Sequence, residues 1–369
     1  MSIKPFTLER YFAEFEFTAK YLLSSSDCEP LAMQELIDMA DPEALALWNN
    51  LKLAYTESLG LPELRAEIAG MYERVGYEQV MVVNPEEGIY ISMQTILSEG
   101  NEVITTFPGY QSLYELAVSK GCDVKRWEPD DNNVFSVDDL ENLITDQTKI
   151  LVMNFPHNPT GAHLNSENFE RIISMVEERG IFLFSDEMYR FLEYRDEDRL
   201  PSACETNKNS ITLCGMSKSF SLPGLRLGWL IVHDPDIMLK LQAYKDYTTI
   251  CQAGPSEILA LIALKNWKKI VGQNLNIISK NILLMEEFSE RNPHFIRWIP
   301  PRAGSIAFPE IFVRYEVEYF CRCLTRKTGA MLLPSSVYGY DKNRVRIGLG
   351  RKDFEKGLGV LENFVGTPK

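Results

Sequence analysis

The chain is poor in the residues that build metal sites and disulfide frameworks. It has four histidines in 369 residues, and its seven cysteines (Cys28, Cys122, Cys204, Cys214, Cys251, Cys321, Cys323) include no C-x-x-C pair beside metal-spaced histidines. Neither a zinc site nor a disulfide scaffold is indicated, and free, mostly buried thiols are expected. Long apolar runs are also missing: the longest, Ile258 to Leu264, is far short of the roughly 20 residues that a bilayer span needs. The start, Met1-Ser2-Ile3-Lys4-Pro5, carries no apolar signal core, so a cytoplasmic protein without a membrane partner is expected. Basic excess is absent too. With 38 Lys and Arg against 52 Asp and Glu, the net charge of -14 opposes nucleic acid and anionic membranes and leaves cationic small molecules unopposed.

What is present is a regular alternation of elements with no repeat or low-complexity tract. Short strand-like runs recur at 79–83, 102–106, 123–127, 150–154, 181–185, 210–214 and 227–232, separated by helical stretches such as Ser166 to Arg179, which stops at Gly180. This order predicts an α/β protein whose large domain holds a mostly parallel seven-stranded sheet with helices on both faces. A helical region from Pro255 to about Arg291 then leads into a shorter mixture of strands and helices. The expected organisation is an N-terminal arm (1–44) joining the small domain, a large domain (45–275) and a smaller α+β domain (276–369).

Four polar signals fall where strands of such a sheet end, which is where open α/β sheets place their ligands. Asn154-Phe155-Pro156-His157-Asn158-Pro159-Thr160-Gly161 is a loop stiffened by two prolines and able to aim Asn158 at a ligand oxygen. Ser185-Asp186-Glu187-Met188-Tyr189 ends an apolar strand in an acid and a tyrosine. In Gly215-Met216-Ser217-Lys218-Ser219, a lysine sits in a hydroxyl-rich loop eight residues before Arg226, itself bracketed by glycines; the pattern suits a Schiff-base lysine and a phosphate-binding arginine. Phe107-Pro108-Gly109-Tyr110 offers an aromatic ring to cover a planar ligand. Read singly, the first is as readily a structural turn and the second a solvated strand end; their joint presence carries the reading.

This ensemble resembles the fold-type I, pyridoxal-phosphate-dependent aminotransferase superfamily, the aspartate aminotransferase group, over essentially the whole chain. The resemblance implies that Lys218 binds pyridoxal 5'-phosphate covalently and moves the proton at Cα. It implies that Asp186 pairs with the ring nitrogen, that Asn158 and Tyr189 hold the phenolic oxygen, and that Tyr110 stacks on the ring. Arg226 would hold the phosphate, and Arg346, in Arg344-Val345-Arg346-Ile347-Gly348, would clamp the substrate α-carboxylate. Tyr55 matches a tyrosine that reaches the neighbouring subunit's phosphate, which implies a homodimer with shared active sites.

The pattern departs from the family in three places. The glycine- and serine-rich turn expected after the first strand is Asn84-Pro85-Glu86-Glu87-Gly88 here. The amides of Glu86 and Glu87 are expected to serve the phosphate at a helix N-terminus, with their carboxylates turned away or neutralised. Gly215 stands where a hydroxyl residue is usual, so Ser217 or Ser219 is expected to compensate. The stretch Lys245 to Cys251 contains no arginine for a distal carboxylate. The arm is instead acidic, with Glu9, Asp27 and Glu29 as candidates for a cationic, arginine-like side chain; solvated surface acids are the plainer reading in so acidic a chain. Within the superfamily these departures resemble enzymes that cyclise arginine derivatives, such as capreomycidine synthase and the L-enduracididine cyclases. The expected activity is therefore cyclodehydration of a hydroxylated arginine, the alternative being ordinary transamination with 2-oxoglutarate. A non-catalytic regulator is the remote alternative, and the chain has no basic recognition helix for one.

Overall fold

The structure is a computed structural model that describes residues 3–366. Its centre is a seven-stranded sheet of β1 (Val80–Val83), β2 (Glu102–Thr106), β3 (Asp123–Trp127), β4 (Thr148–Asn154), β5 (Phe182–Asp186), β6 (Ser210–Gly215) and β7 (Gly228–Val232), in the order β1-β7-β6-β5-β4-β2-β3. Strands β2 to β6 pair in parallel. Only β7 runs against its two neighbours, β1 and β6. Strands β1 to β6 therefore all finish on one edge of the sheet, and β7 starts there.

Both faces of the sheet are covered over its inner strands, which read as largely apolar runs rather than alternating ones, whereas the edge strand β3 is polar and partly exposed. Val80 and Val82 pack with Trp229 and the helix Gly254–Lys265 on one face. Met81 and Val83, one residue out of phase, pack on the other with Ile89 and Met93 of the helix Pro85–Ile96. The helix Ser166–Glu178 covers Leu151 and Leu183.

The helical region expected from Pro255 to Arg291 is broken. Two helices, Gly254–Lys265 and Trp267–Arg291, meet at Asn266. Its amide group donates to the carbonyls of Ile262 (2.8 Å) and Met39 (3.1 Å), drawing the junction toward the N-terminal part of the chain.

Beyond residue 291, the strand Val345–Gly348 lies between Leu333–Pro334 and Ile306–Ala307, antiparallel to both. Helices Val317–Thr328 and Phe354–Gly366 accompany it. The N-terminal segment packs on this unit: Tyr21 bridges Ala330, the Gly348 amide donates to Leu23 O (2.8 Å), and Leu8, Tyr11 and Phe15 of the helix Thr7–Phe15 join the same core. Contact with the arm is so close that a Cβ built on Gly348 lies 1.8 Å from the carbonyl oxygen of Ser25.

Candidate active site

The polar signals converge because the loops that carry them leave the same edge of the sheet. Lys218 sits between β6 and β7 in a loop fixed at both ends. Met216 N–H donates to Leu227 O, Ser219 Oγ donates to Arg190 O (2.5 Å), and Asn274 of the long helix donates to Ser219 O (3.0 Å). Lys218 Nζ donates to Ser26 Oγ of the arm at 2.8 Å. Desolvation lowers the amine's pKa, as do the nearby Arg346 and Arg226, while Asp27 and Glu9 oppose this.

Asp186 is the last residue of β5 and is buried. Its carboxylate accepts from the Met188 amide at 3.0 Å, yet burial outweighs that bond and the nearby Lys218 and raises its pKa to about 7. One strand away, Asn154 at the end of β4 accepts from the Asn158 amide (2.8 Å) and donates to Asp186 O (3.0 Å), locking the two strand ends together. The loop closes at Gly161, whose φ of +68° and whose approach to Pro301, 2.4 Å from a built Cβ, exclude any side chain.

Arg346, buried on its strand, donates from Nε (3.1 Å) and Nη2 (2.9 Å) to the carbonyl of Ser24 and from Nη1 to Tyr338 OH (2.9 Å) and Asn158 Oδ1 (3.3 Å). These bonds join the arm, the C-terminal unit and the sheet at one guanidinium. Tyr189 is buried near them, and its hydroxyl has no hydrogen-bond partner among the described residues.

The acids of the arm divide. Glu9 accepts from Tyr110 OH at 3.1 Å, and Asp27 pairs with Arg351 at 2.9 Å. Glu29 does not join them: its carboxylate accepts from the Lys352 amide at 2.9 Å, just ahead of the last helix, where a carboxylate offsets unpaired N–H groups. Glu16, which the sequence reading missed, does join them. Burial raises its pKa, and Asp27 and Glu9 raise it further, while Arg351 and Lys218 oppose. The signal was present in the spacing, since seven residues separate Glu9 from Glu16 along a helix and place them on one face.

At the phosphate end the helix that follows β1 is capped from within the chain. Pro85 has no N–H, and the Asn84 side chain caps the helix by accepting from Glu86 N–H (3.2 Å) in a capping box with Glu87. The Glu86 amide is therefore committed to Asn84. The Glu87 carboxylate is turned to Thr248, Thr249 and Gln252; burial opposes its ionisation, but the threonine hydrogen bonds prevail and lower its pKa. Glu86 accepts from Ser112 Oγ at 3.3 Å. Arg226, at φ +51°, spends one bond on Pro223 O (3.0 Å) and is otherwise exposed; Ser217 is buried beside Lys218. Tyr55 is 90% exposed on this chain.

His157 packs edge-on against Phe135 at 4.7 Å, and burial lowers its pKa to about 3, as a neutral packing residue requires. All seven cysteines are free and four of them are buried. No described helix is long and apolar enough to cross a membrane.

Pyridoxal phosphate fits this donor set. Asp186 is a buried acid with no ion-pair partner among the described residues, as a ring N–H requires, and the buried Tyr189 hydroxyl, beside Ser26, has a proton to give to a phenolic oxygen.

The sequence profile of the family described as aminotransferase class I and II matches residues 20–355. Capreomycidine synthase of Streptomyces vinaceus is 28% identical over 367 residues, covering 98% of this chain and 93% of that protein. Among solved structures, a PLP-dependent aminotransferase from Streptococcus suis 89-1591 is similar at a TM-score of 0.91 and 28% identity, covering 99% of this chain and 98% of the other. The PLP-dependent cyclase OrfR superposes at a TM-score of 0.90 and 24% identity, with 99% and 97% covered, a likeness of fold alone.

Proposed function

The chain belongs to the aminotransferase class I and II family and is a pyridoxal-phosphate-dependent enzyme, and from that premise we propose that it cyclodehydrates a hydroxylated arginine to a cyclic guanidine amino acid. The observation that carries this reading is the group of arm acids, Glu9, Glu16 and Asp27, placed around Lys218. A cationic side chain entering there meets Glu9 and Glu16, Asp27 being already paired with Arg351 at 2.9 Å. The 28% identity to a capreomycidine synthase supports the same direction.

Bound pyridoxal phosphate supplies the electron sink that makes the Cα proton acidic. Asp186 would hold its ring nitrogen, Asn158 and Tyr189 its phenolic oxygen, Tyr110 its ring face, and Arg226 with Ser217 its phosphate. Arg346, already oriented by Tyr338 and Ser24 O, fixes the α-carboxylate and so aims the Cα–H bond at Lys218. Lys218 Nζ takes that proton, its basicity tempered by desolvation. A second proton leaves Cβ, the side-chain hydroxyl departs as water, and a guanidine nitrogen bonds to the carbon that carried it, losing its own proton as Cα and Cβ regain theirs. The net change is loss of one water, with no oxidant or reductant.

A second reading, transamination to 2-oxoglutarate, is favoured by the intact set of Lys218, Asp186, Asn158 and Arg346, which transamination also needs. We further propose that two copies assemble with shared sites. Leu53 (89% exposed), Tyr55 (90%) and Tyr247 (93%) are large side chains that a second copy would cover, bringing Tyr55 to its phosphate.

Incubating the protein with γ-hydroxyarginine, arginine and ordinary amino acids without a keto acid decides between them. Repeated turnover with loss of one water from hydroxyarginine supports cyclisation. A single stoichiometric conversion of the cofactor to its pyridoxamine form, relieved by 2-oxoglutarate, overturns it in favour of transamination.

A further inference from the structure

The helix Pro85–Ile96 starts on the edge of the sheet that carries Lys218, but its N-terminus offers an anion few amides. Pro85 lacks an N–H, the Asn84 side chain takes the Glu86 amide at 3.2 Å, and the Asn84 N–H is taken by Glu87 at 3.3 Å. What this helix turns inward instead is the Glu86 side chain. It accepts from Ser112 Oγ at 3.3 Å, while the Tyr110 hydroxyl is given to Glu9 at 3.1 Å. Val83, at the end of β1, pairs with Gly228, and Pro85 lies 3.0 Å from a Cβ built on that glycine, so Glu86 and Arg226, three residues after Val83 and two before Gly228, leave the same corner of the sheet.

The groups that face Glu86 are mostly acidic. Glu9 and Lys4 come from the arm, Tyr110, Ser112 and Glu115 follow β2, Asp186 ends β5, and Glu87 adjoins it on its own helix. Among the described residues Glu86 forms no ion pair, with Lys4 or with any other cation. Burial, reinforced by Glu9 and Asp186, raises its pKa to about 7 against the hydrogen bond from Ser112. A phosphate monoester carries close to two negative charges above its second pKa of about 6. A carboxylate beside it repels it, whereas a carboxylic acid donates a hydrogen bond to it.

We propose that Glu86 holds the cofactor phosphate as a neutral acid, one proton being kept between its carboxyl group and the phosphate oxygens, so that cofactor binding carries a proton with it. Glu86 thus replaces the amide cradle with a single titratable donor. The inference depends on the cofactor but not on which reaction the enzyme performs.

The test separates the phosphate from the rest of the cofactor. Affinities of the full-length apoprotein for pyridoxal 5'-phosphate and for pyridoxal are measured from pH 6.5 to 9, and their ratio isolates the phosphate, because ionisation of Lys218 and Asp186 affects both ligands. In the wild type this ratio falls by about tenfold per pH unit above pH 7, the linkage of one proton. In Glu86→Gln, which keeps a hydrogen-bond donor that does not titrate, the ratio is flat over the same range. A flat ratio in the wild type, or an unchanged slope in the variant, overturns the proposal. Calorimetry on the wild type at pH 8, in buffers of different ionisation enthalpy, gives a reading that needs no variant. Uptake of about one proton with pyridoxal phosphate beyond that with pyridoxal is expected, and equal uptake for the two ligands rejects it.

Discussion

Replacing Gly348 with alanine tests whether the arm is held in place by direct backbone contact. The new Cβ falls 1.8 Å from Ser25 O, 2.7 Å from Ser25 C and 2.9 Å from Ser25 N, all backbone atoms that no rotamer change can move aside. Gly348 itself is held by its pairing with Ile306, so the arm is what gives way. Its departure breaks the Gly348 N–H bond to Leu23 O and both Arg346 bonds to Ser24 O. Hydrogen bonds to a charged group contribute about 1.5–3 kcal/mol each and a neutral one about 1 kcal/mol. Allowing for partial relaxation and water re-entry, a loss of about 3 kcal/mol or more is expected, an exceptional value for so small a change. Without the clash, the reduced freedom of the unfolded chain would make the same substitution stabilising by ~0.4–1 kcal/mol, so the sign alone discriminates. Gly359, with nothing within 4 Å of a built Cβ and a position inside the last helix, is the control, and its alanine variant is expected to gain ~0.5–1 kcal/mol. Urea unfolding of both variants at one protein concentration reads the result. Gly348→Ala as stable as the wild type would refute the packing of the arm on this strand.

Other outcomes follow from the site. Asp186→Asn removes the carboxylate that would face the ring nitrogen; cofactor affinity is expected to fall by about tenfold or more, and an unchanged dissociation constant would count against the assignment. Glu9→Gln and Glu16→Gln should each raise KM for a cationic substrate by about fivefold, the worth of a partly exposed charge pair, while leaving a neutral substrate's KM unchanged; equal effects on both would remove the acids from recognition. Tyr338→Phe deprives Arg346 Nη1 of its 2.9 Å partner, and kcat/KM should drop by about tenfold with the cofactor spectrum intact. The raised pKa of Glu86 favours the native state fully below its unfolded value near 4.3 and loses that contribution as pH rises through about 7. Apoprotein Glu86→Gln should therefore be the more stable at pH 8 in thermal melts, with the gap shrinking toward pH 4.5.

The sheet was legible in the sequence because burial on both faces writes its inner strands as compact, largely apolar runs, and the strands begin and end within a residue or two of the runs read from the sequence; the edge strand β3, polar and partly exposed, was legible from its place in the alternation instead. Asp186 was legible for the same reason, as the point where such a run turns acidic. The C-terminal strands were harder: Leu333–Pro334 and Ile306–Ala307 are two residues long and owe their existence to pairing with Val345–Gly348 rather than to local preference. The break at Asn266 depends on a carbonyl more than 200 positions away, Met39 O, which periodicity does not register. Directions of side chains were the least legible. Glu86 and Glu87 are identical neighbours in the sequence, yet Glu87 is drawn toward Thr248 and Thr249 and Glu86 toward Ser112. Ser26 and Tyr338 likewise carry no signal until folding brings them to Lys218 and Arg346.

The arm's position also bears on how such an enzyme changes its preferences. Groups suited to the cofactor, from Asn158 to Arg226, are encoded together in the strand ends of the sheet, whereas Glu9, Glu16 and Asp27 lie in one short stretch near the start of the chain, 322 positions from Arg346 at the contact with Ser24. Substitutions, insertions or exchange of that stretch alter what the pocket reads without touching the strands that hold the chemistry. A lineage can thus revise its substrate by editing a single surface-packed segment, while the machinery that moves protons at Cα passes unaltered from one specificity to the next.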